Sequence, residues 1–255
     1  MVGKLRVRRL SHYIGLFHPL AHVNGFSGCN LIALICNRLS AVLSATCLFC
    51  IMLQNYVKVF IRGAILVPVP GHEAPDFINM LLTLKSVKRW LKECYNGSET
   101  RTFEIGQDHV FWAYFMTLHQ RVIAAGGWVR NEAGELLIIE RNGKLDMPKG
   151  KLESKETVEV CAVREVQEEC RVKRCKITGP AVRTYHCYPD KGEYMLKTTY
   201  WYPMVTDYSK KLKAQKEEGI SAVYWATPAL LKKRMEELPT YNSLTETFEK
   251  FIEEA

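Results

Sequence analysis

Residues 1 to 72 contain no aspartate or glutamate, although the chain of 255 residues has 27 acidic residues in all. The same segment carries seven lysine and arginine residues, and the net charge of the whole chain is +8. A basic segment of this kind suits an anionic partner such as nucleic acid or a membrane surface. It lacks the aromatic and groove-reading motifs of nucleic-acid-binding modules, so we expect no specific nucleic-acid binding.

The N-terminal part also lacks an apolar run that is long enough for a membrane helix. The stretch from Leu39 to Val57 is uncharged, but Gln54 and Asn55 cut its apolar part to about 15 residues, short of the ~20 required. Three interpretations of residues 1–51 stay open. The segment is foreign to the native protein, with Met52 as the first residue, or it is membrane-associated, or it is a folded extra subdomain. Membrane contact is expected only through residues 1–57.

The nine cysteines are scattered and form no paired framework. The one close pair, Cys47 and Cys50, has no matching pair downstream, so neither a zinc site nor a redox centre is indicated. Buried reduced thiols are the simpler explanation, and they are typical of cytosolic proteins. We therefore predict a cytoplasmic location.

An acidic helix after a glycine-containing loop is the most informative feature. Glu165, Glu168 and Glu169 stand at i, i+3 and i+4, which places them on one face of a helix. Such like charges repel one another unless a cation lies between them, so the arrangement favours a site for a hard divalent metal. Thr157 is a good N-cap for this helix. An apolar stripe lies beside the acidic face and comprises Ala162, Val163, Val166 and Cys170.

The stretch from Gly150 to Val172 resembles the signature box of the Nudix hydrolase family. That box reads G, five residues, E, seven residues, R-E-U-x-E-E-x-G-U, where U is a bulky aliphatic residue. The exception is Arg171, which stands where the family has its second glycine; a non-glycine residue in the left-handed conformation expected there costs roughly 1–2 kcal/mol. Eight of the nine fixed positions match, namely Gly150, Glu156, Arg164, Glu165, Val166, Glu168, Glu169 and Val172.

The resemblance implies an α/β fold, the Nudix-type α/β/α sandwich with a mixed sheet, over residues 120–255. A small α/β module of unknown role is expected over residues 52–119. Within this module the sequence pattern predicts a strand pair around Arg62 and Gly63, a helix from Asp76 to Tyr95 and a second helix from Val110 to Leu118. Either a homodimer interface or a lid over the catalytic domain would account for it, and both are open.

The resemblance also implies the site residues. The metal ligands would be Glu165, Glu168 and Glu169 with the Gly150 carbonyl, and the metal would be Mg²⁺, with Mn²⁺ as an alternative. A salt bridge between Arg164 and Glu156 would orient that set. Family members draw the general base either from a box glutamate or from a later loop. The candidates in the later loop are Glu217 and Glu218, and Glu218 is included in the predicted site.

The reaction implied is cleavage of a pyrophosphate bond in a nucleoside diphosphate linked to another group. The substrate would be a dinucleoside polyphosphate, an ADP-sugar or a modified nucleotide. Subfamilies differ at a residue about 16 positions after the box, but Tyr188 and Pro189 stand side by side there and point to different subfamilies. Two other functions stay open. One is a non-hydrolytic nucleotide sensor, which the intact box carboxylates disfavour, and the other is a membrane-tethered interaction protein.

Overall fold

The computed structural model describes residues 58–71, 83–97, 99–107 and 109–253. The expectations for residues 1–57, including the start at Met52 and the membrane contact, lie outside the described residues. The start of a helix at Asp76 lies outside them as well. Within the part of the chain that is described, no helix combines the length and the apolar character needed to cross a membrane.

The described chain contains eleven strands and five α-helices. Helix α1 (Leu84–Asn96) begins after Thr83. The Thr83 hydroxyl accepts a hydrogen bond from the Ser86 amide and so caps the helix. The small module contains β1 (Val59–Ile61), β2 (Ala64–Val69), α1 (Leu84–Asn96), β3 (Arg101–Gly106) and α2 (Phe111–Leu118). The rest of the chain contains β4 (His119–Arg130), β5 (Leu136–Arg141), β6 (Lys144–Asp146), β7 (Lys149–Lys151), α3 (Val158–Cys170), β8 (Lys176–Ile177), β9 (Val182–Asp190), β10 (Glu193–Val205), β11 (Ile220–Ala226), α4 (Pro228–Glu237) and α5 (Asn242–Glu253).

The strands form one mixed sheet with the order β11-β5-β4-β10-β9-β1-β2-β3, while β6, β7 and β8 pair with β5, β4 and β10. Parallel pairs join β10 to β4, β1 to β9 and β2 to β3, and the other pairs are antiparallel. The long pair of β4 and β10 runs through the middle of the sheet. The fold class predicted from the sequence, a mixed sheet with helices, is confirmed.

Alternation along β5 shows that helices cover both faces of this sheet. Leu137 and Ile139 pack in a core with α3, whereas Leu136 and Ile138 pack in a second core with α4 and α5. Successive strand residues point to opposite faces, so the two cores lie on opposite sides of the sheet. Burial of this apolar surface, at about 25 cal/mol per Å², is what holds the layers together.

The small module extends the sheet instead of standing apart from it. Strand β1 pairs in parallel with β9, and β1 and β2 form the hairpin predicted around Arg62 and Gly63. A third core joins both parts of the chain, since it contains Leu66 and Phe111 from the module together with Tyr185 and Leu196 from β9 and β10. The division into residues 52–119 and 120–255 stays a prediction.

The hairpin between β9 and β10 is tighter than the sequence suggests. The sequence Pro-Asp-Lys-Gly at 189–192 predicts a turn of four residues between the two strands. In the structure β9 continues through Pro189 and Asp190, so only Lys191 and Gly192 form the turn. Both have positive φ angles, 48° and 82°. Two-residue turns with this backbone fit the twist of paired strands, which explains why the ladder runs to Asp190.

Acid should weaken the fold through His119, which is buried where β4 begins. Its ring nitrogens contact the Tyr95 hydroxyl at 2.5 Å and the Phe115 carbonyl at 2.6 Å. Burial lowers the pKa of His119 from its ordinary value of 6.5 to about 4. The unfolded chain therefore takes up a proton first as the pH falls below 6.5, and His119 costs the folded state about 2 kcal/mol between pH 7 and pH 5.

Urea unfolding at pH 7 and pH 5 measures this cost. The His119→Phe variant should show a smaller loss of unfolding free energy over that range than the unmodified protein. The two proteins share every other titrating group, so their difference isolates His119. Equal losses would show that His119 titrates normally in the folded state.

Candidate active site

A cleft of about 650 Å³ lies over the sheet beside the second half of α3. One wall is formed by the end of β5, the segment from β6 to β7 and the acidic helix α3. The floor is formed by β9 and β10, and the opposite wall by the start of α5. The charged residues that line it are Arg141, Asp146, Lys149, Lys151, Glu153, Glu165, Glu169, Lys197 and Glu218.

Glu169 is the most deeply placed acid of the cleft, since only 1% of its side chain is exposed. One carboxylate oxygen accepts a hydrogen bond from Arg141 Nη1 at 2.8 Å, and the other accepts one from the Lys149 backbone amide at 2.9 Å. Burial raises the pKa of Glu169 to about 7, although Lys149 and Arg141 act in the opposite direction. The positive charges of Lys149 and Arg141 therefore offset only part of the cost of burying the Glu169 carboxylate.

Glu165 lies one turn earlier on α3 and faces the backbone at Gly150. A Cβ atom at Gly150 would stand 2.1 Å from the Glu165 carboxylate, so only glycine allows this approach. Gly126 has a similar role on β4, because a Cβ there would meet the Pro148 carbonyl at 2.2 Å. Burial also raises the pKa of Glu165 above its usual range. The loop and the acidic helix are therefore in direct contact.

Arg164 joins the acids on this side of the cleft. Its guanidinium forms two bonds to Glu156, at 2.7 Å and 2.9 Å, so the ion pair predicted between these residues is present. The same side chain bonds Glu165 at 2.8 Å and Glu168 at 2.9 Å. The hydrogen bonds from Arg164 lower the pKa of Glu156 to about 2 and raise that of Arg164. Bidentate pairs of this kind fix both partners in orientation.

The structure brings some predicted residues together and separates others. Glu165, Glu169, Glu218 and the Gly150 backbone line the cleft. Glu168 is about half exposed, with 52% of its side chain open to solvent, and together with Glu217 it lines a neighbouring surface groove. The roles of all these residues stay predictions.

Glu218 enters the cleft because the loop before β11 is tied to the end of α3. The Gln215 amide donates to the Glu169 carbonyl at 3.1 Å, and the Lys213 amide donates to the Cys170 carbonyl at 3.2 Å. Glu218 then reaches Arg141, whose Nη2 lies 2.6 Å from its carboxylate. Arg141 thus links Glu218 to Glu169.

Sequence reasoning missed three residues of this wall, namely Arg141, Asp146 and Lys149. Arg141 ends an apolar strand before an Asn-Gly turn, and Lys149 belongs to the basic loop before the helix. The Lys149 ammonium bonds the Asp146 carboxylate at 2.6 Å, so this pair is already neutralised. Only a signal for long-range contact could have placed Arg141 beside Glu169, which is 28 positions away.

The donor set fits a hard divalent cation in its chemistry. Glu165 and Glu169, two carboxylates with raised pKa values, line the cleft together with the Gly150 backbone, and oxygen is the ligand atom that Mg²⁺ prefers. A cation there would favour the charged form of both acids. As the side chains stand, no three His, Cys, Asp or Glu residues within the described ranges are grouped as metal ligands. Arg164 and Arg141 bond these carboxylates.

The helix that carries the acids ends at Arg171. This residue takes the left-handed conformation expected from the sequence, with φ 62° and ψ 14°, and its amide bonds the Gln167 carbonyl at 2.9 Å. Arg171 is exposed and lies outside the cleft. Its backbone strain is therefore separate from the chemistry of the acids.

Replacing Arg171 with glycine should raise the free energy of unfolding by about 1 kcal/mol, because glycine adopts positive φ without steric cost. Arg171→Ala is the matched control, since it removes the same side chain but keeps the Cβ atom that causes the strain. Chemical denaturation of the three proteins tests this. A glycine variant that is no more stable than the alanine variant would contradict the expectation.

A family model and several solved structures match this part of the chain. Residues 120–247 match the family model described as the NUDIX domain, which is half of the chain. Among solved structures, a MutT protein studied in Aliivibrio salmonicida and Vibrio cholerae is 18% identical, with a TM-score of 0.36, over 53% of this chain and 100% of that one. An Ap4A hydrolase from C. elegans is 19% identical, with a TM-score of 0.40, over 51% and 94%.

A third structure, the dihydroneopterin triphosphate pyrophosphohydrolase of E. coli, is 14% identical, with a TM-score of 0.39, over 52% of this chain and 96% of that one. The match to the family model, which begins at β4 and ends within α5, covers the cleft and its acidic helix. The chain therefore belongs to the Nudix family. It is an enzyme, a Nudix-type pyrophosphohydrolase.

Proposed function

We propose that the enzyme depends on a divalent metal, Mg²⁺ or Mn²⁺, and cleaves the pyrophosphate bond of a nucleoside diphosphate that is linked to another group. The candidates for that substrate are a dinucleoside polyphosphate, an ADP-sugar and a modified nucleotide. The observation that carries the proposal is the burial of Glu169 beside Glu165 in a cleft large enough for a nucleotide. Acids buried in this way cost stability, and a bound cation would offset that cost.

In this proposal Glu165, Glu168, Glu169 and the Gly150 carbonyl hold the metal. When bound, the cation neutralises charge on the phosphoryl oxygens and lowers the pKa of a water ligand. Glu168 would turn from Arg164 toward the cleft, and its 52% exposure leaves it room to do so. Arg164 keeps its bidentate bond to Glu156 and so continues to orient the end of the loop at Lys151.

We assign the proton transfer from the attacking water to Glu218. Its carboxylate enters the cleft from the loop before β11 and is held by Arg141 at 2.6 Å. Half of its side chain is exposed, which gives it access to solvent water. Glu217 lines the neighbouring groove and not the cleft, so the geometry favours Glu218 of the two sequence candidates.

We also propose a cytoplasmic location. The five cysteines within the described ranges, Cys94, Cys161, Cys170, Cys175 and Cys187, are free thiols, and all but Cys175 are buried. Buried free thiols are typical of proteins in a reducing compartment. The nucleotide substrates of the proposal belong to the same compartment. Fractionation of cells that express the full chain tests the location directly.

The metal-dependent reaction can be tested on a panel of a dinucleoside tetraphosphate, ADP-ribose, a nucleotide sugar and an oxidised nucleoside triphosphate. We expect Mg²⁺-dependent turnover of one class that stops when a chelator is added. Glu169→Gln should lower kcat by more than about 100-fold, because loss of a ligand exceeds the effect of losing an outer contact. Products are followed by phosphorus NMR. Tight binding of a nucleotide without turnover would favour the sensor instead.

Two neighbouring glutamates give a matched test of the general base. Glu218→Gln should lower kcat by about 100-fold or more, while Glu217→Gln should leave it nearly unchanged. Both changes remove one charge from the same loop, so the comparison cancels effects on the loop as a whole. Equal activity of the two variants would assign the base to a box glutamate.

A further inference from the structure

The floor of the cleft carries a lysine that has no acidic partner among the described residues. Lys197 lies in the middle of β10, where it pairs with His186 of β9 and with Val122 of β4. Its side chain shares a face of the strand with Thr199 and Trp201, which also line the cleft. Among the described residues, its ammonium group forms no hydrogen bond and no ion pair. Its one close contact is with the ring of Tyr188, 5.6 Å away.

The contact with Tyr188 offsets little of the free-energy cost of burying the Lys197 charge. Cation–π attraction acts within about 6 Å, and this separation lies near that limit. A partly buried ammonium without a carboxylate costs free energy, since water is removed and little replaces it. Burial lowers the pKa of Lys197 to about 8, because removal from water disfavours the charged form of the ammonium.

The charges around Lys197 make its surroundings positive. Lys149, Arg141 and Lys151 all lower the pKa of Lys197, and Asp146 is the acid that acts against them. The Asp146 carboxylate is already bonded by the Lys149 ammonium at 2.6 Å and by the Met147 amide at 2.8 Å. Little of its charge is left for Lys197. This part of the cleft is therefore prepared for an anion.

His186, which pairs with Lys197 across the strands, carries no charge at pH 7 that could compete for such an anion. Burial, together with the charges of Lys197 and Lys144, lowers the pKa of His186 to about 4, so its ring is neutral at pH 7. The acids of α3 that line the cleft, Glu165 and Glu169, are bonded to Arg164 and Arg141 and make no ion pair with Lys197. The ammonium therefore faces the open cleft.

We infer that Lys197 binds a phosphate group of the substrate other than the one held at the carboxylates, so that the preferred substrate carries a phosphate chain longer than a diphosphate. The inference rests on the proposed function, because it names one more contact to the substrate of that reaction. Among the three candidate classes, it favours a polyphosphate over a diphosphate joined to a neutral sugar. A lysine suits this task as a compact charge that accepts varied phosphate geometry.

Binding can be measured apart from catalysis by titrating the full chain with sodium tripolyphosphate in a calorimeter, in EDTA and at low ionic strength. Lys197→Met should weaken binding by about tenfold or more, as expected for a hydrogen bond to a charged group. Lys197→Arg, which keeps the charge, should restore most of it. Lys232→Met is the matched control, since Lys232 is an exposed lysine of α4 outside the cleft.

Unchanged affinity in Lys197→Met, or no binding by the unmodified protein, would overturn the inference. Thermal unfolding of the ligand-free proteins adds a second criterion. Lys197→Met should be as stable as the unmodified protein or more stable, because the variant removes an unpaired buried charge. A marked loss of stability would show that Lys197 serves the fold and would also overturn the inference.

Kinetics then distinguish the source of the phosphate chain. With Mg²⁺, Lys197→Met should raise KM for a dinucleoside tetraphosphate by about tenfold or more and leave kcat/KM for ADP-ribose nearly unchanged. Turnover of inorganic tripolyphosphate in place of the dinucleotide would identify an inorganic chain as the ligand. Tripolyphosphate binding that depends on Lys197, without hydrolysis of any compound, would refute the proposed function and leave this inference standing.

Discussion

The cleft depends on one buried carboxylate, that of Glu169. It bonds Arg141 at the end of β5 and the Lys149 amide at the start of β7, while its own backbone carbonyl accepts a hydrogen bond from the Gln215 amide. A single residue thus ties together three segments that are far apart in sequence. Because burial makes each of these bonds stronger and each loss more costly, the surrounding loops have one arrangement that satisfies Glu169.

The basic residues around the acids act as their counter-charges. Arg164 joins Glu156, Glu165 and Glu168, and Arg141 joins Glu169 to Glu218. Two arginines therefore hold five carboxylates at close quarters. Removing a buried charge from water is expensive, and such a network reduces that expense only in part, as the raised pKa of Glu169 shows. The cost that remains would favour the binding of a cation in the proposed metal site.

Local patterns were enough to predict most of the secondary structure and the acidic helix. Thr157 caps α3 and Arg171 ends it in the left-handed conformation, because both positions are governed by neighbours within four residues. The fold class follows from strands and helices whose periodicity is plain. The sequence predicts a turn of four residues where the structure has only Lys191 and Gly192, because the length of a ladder depends on the partner strand and not on the turn residues alone.

The site was only partly predictable, for a related reason. Helical spacing puts Glu165, Glu168 and Glu169 on one face, but that face is wider than the cleft, and Arg164 draws Glu168 toward its outer side. The contact between Arg141 and Glu218 spans 77 positions. The charged residues around Lys197 likewise come from segments that are far from it in sequence. Such contacts depend on how the sheet is assembled, and no single segment encodes them.

The parallel pairing of β1 with β9 has a consequence for how the enzyme can be divided. Strand β9 carries Thr184, His186 and Tyr188 in the cleft floor, and its outer side is hydrogen-bonded to β1. A fragment that began at β4 would leave the backbone groups of β9 unpaired and uncover Tyr185 and Cys187. Open strand edges recruit further chains, so such a fragment would be prone to aggregate. The N-terminal strands therefore protect the floor of the cleft as well as extending the sheet.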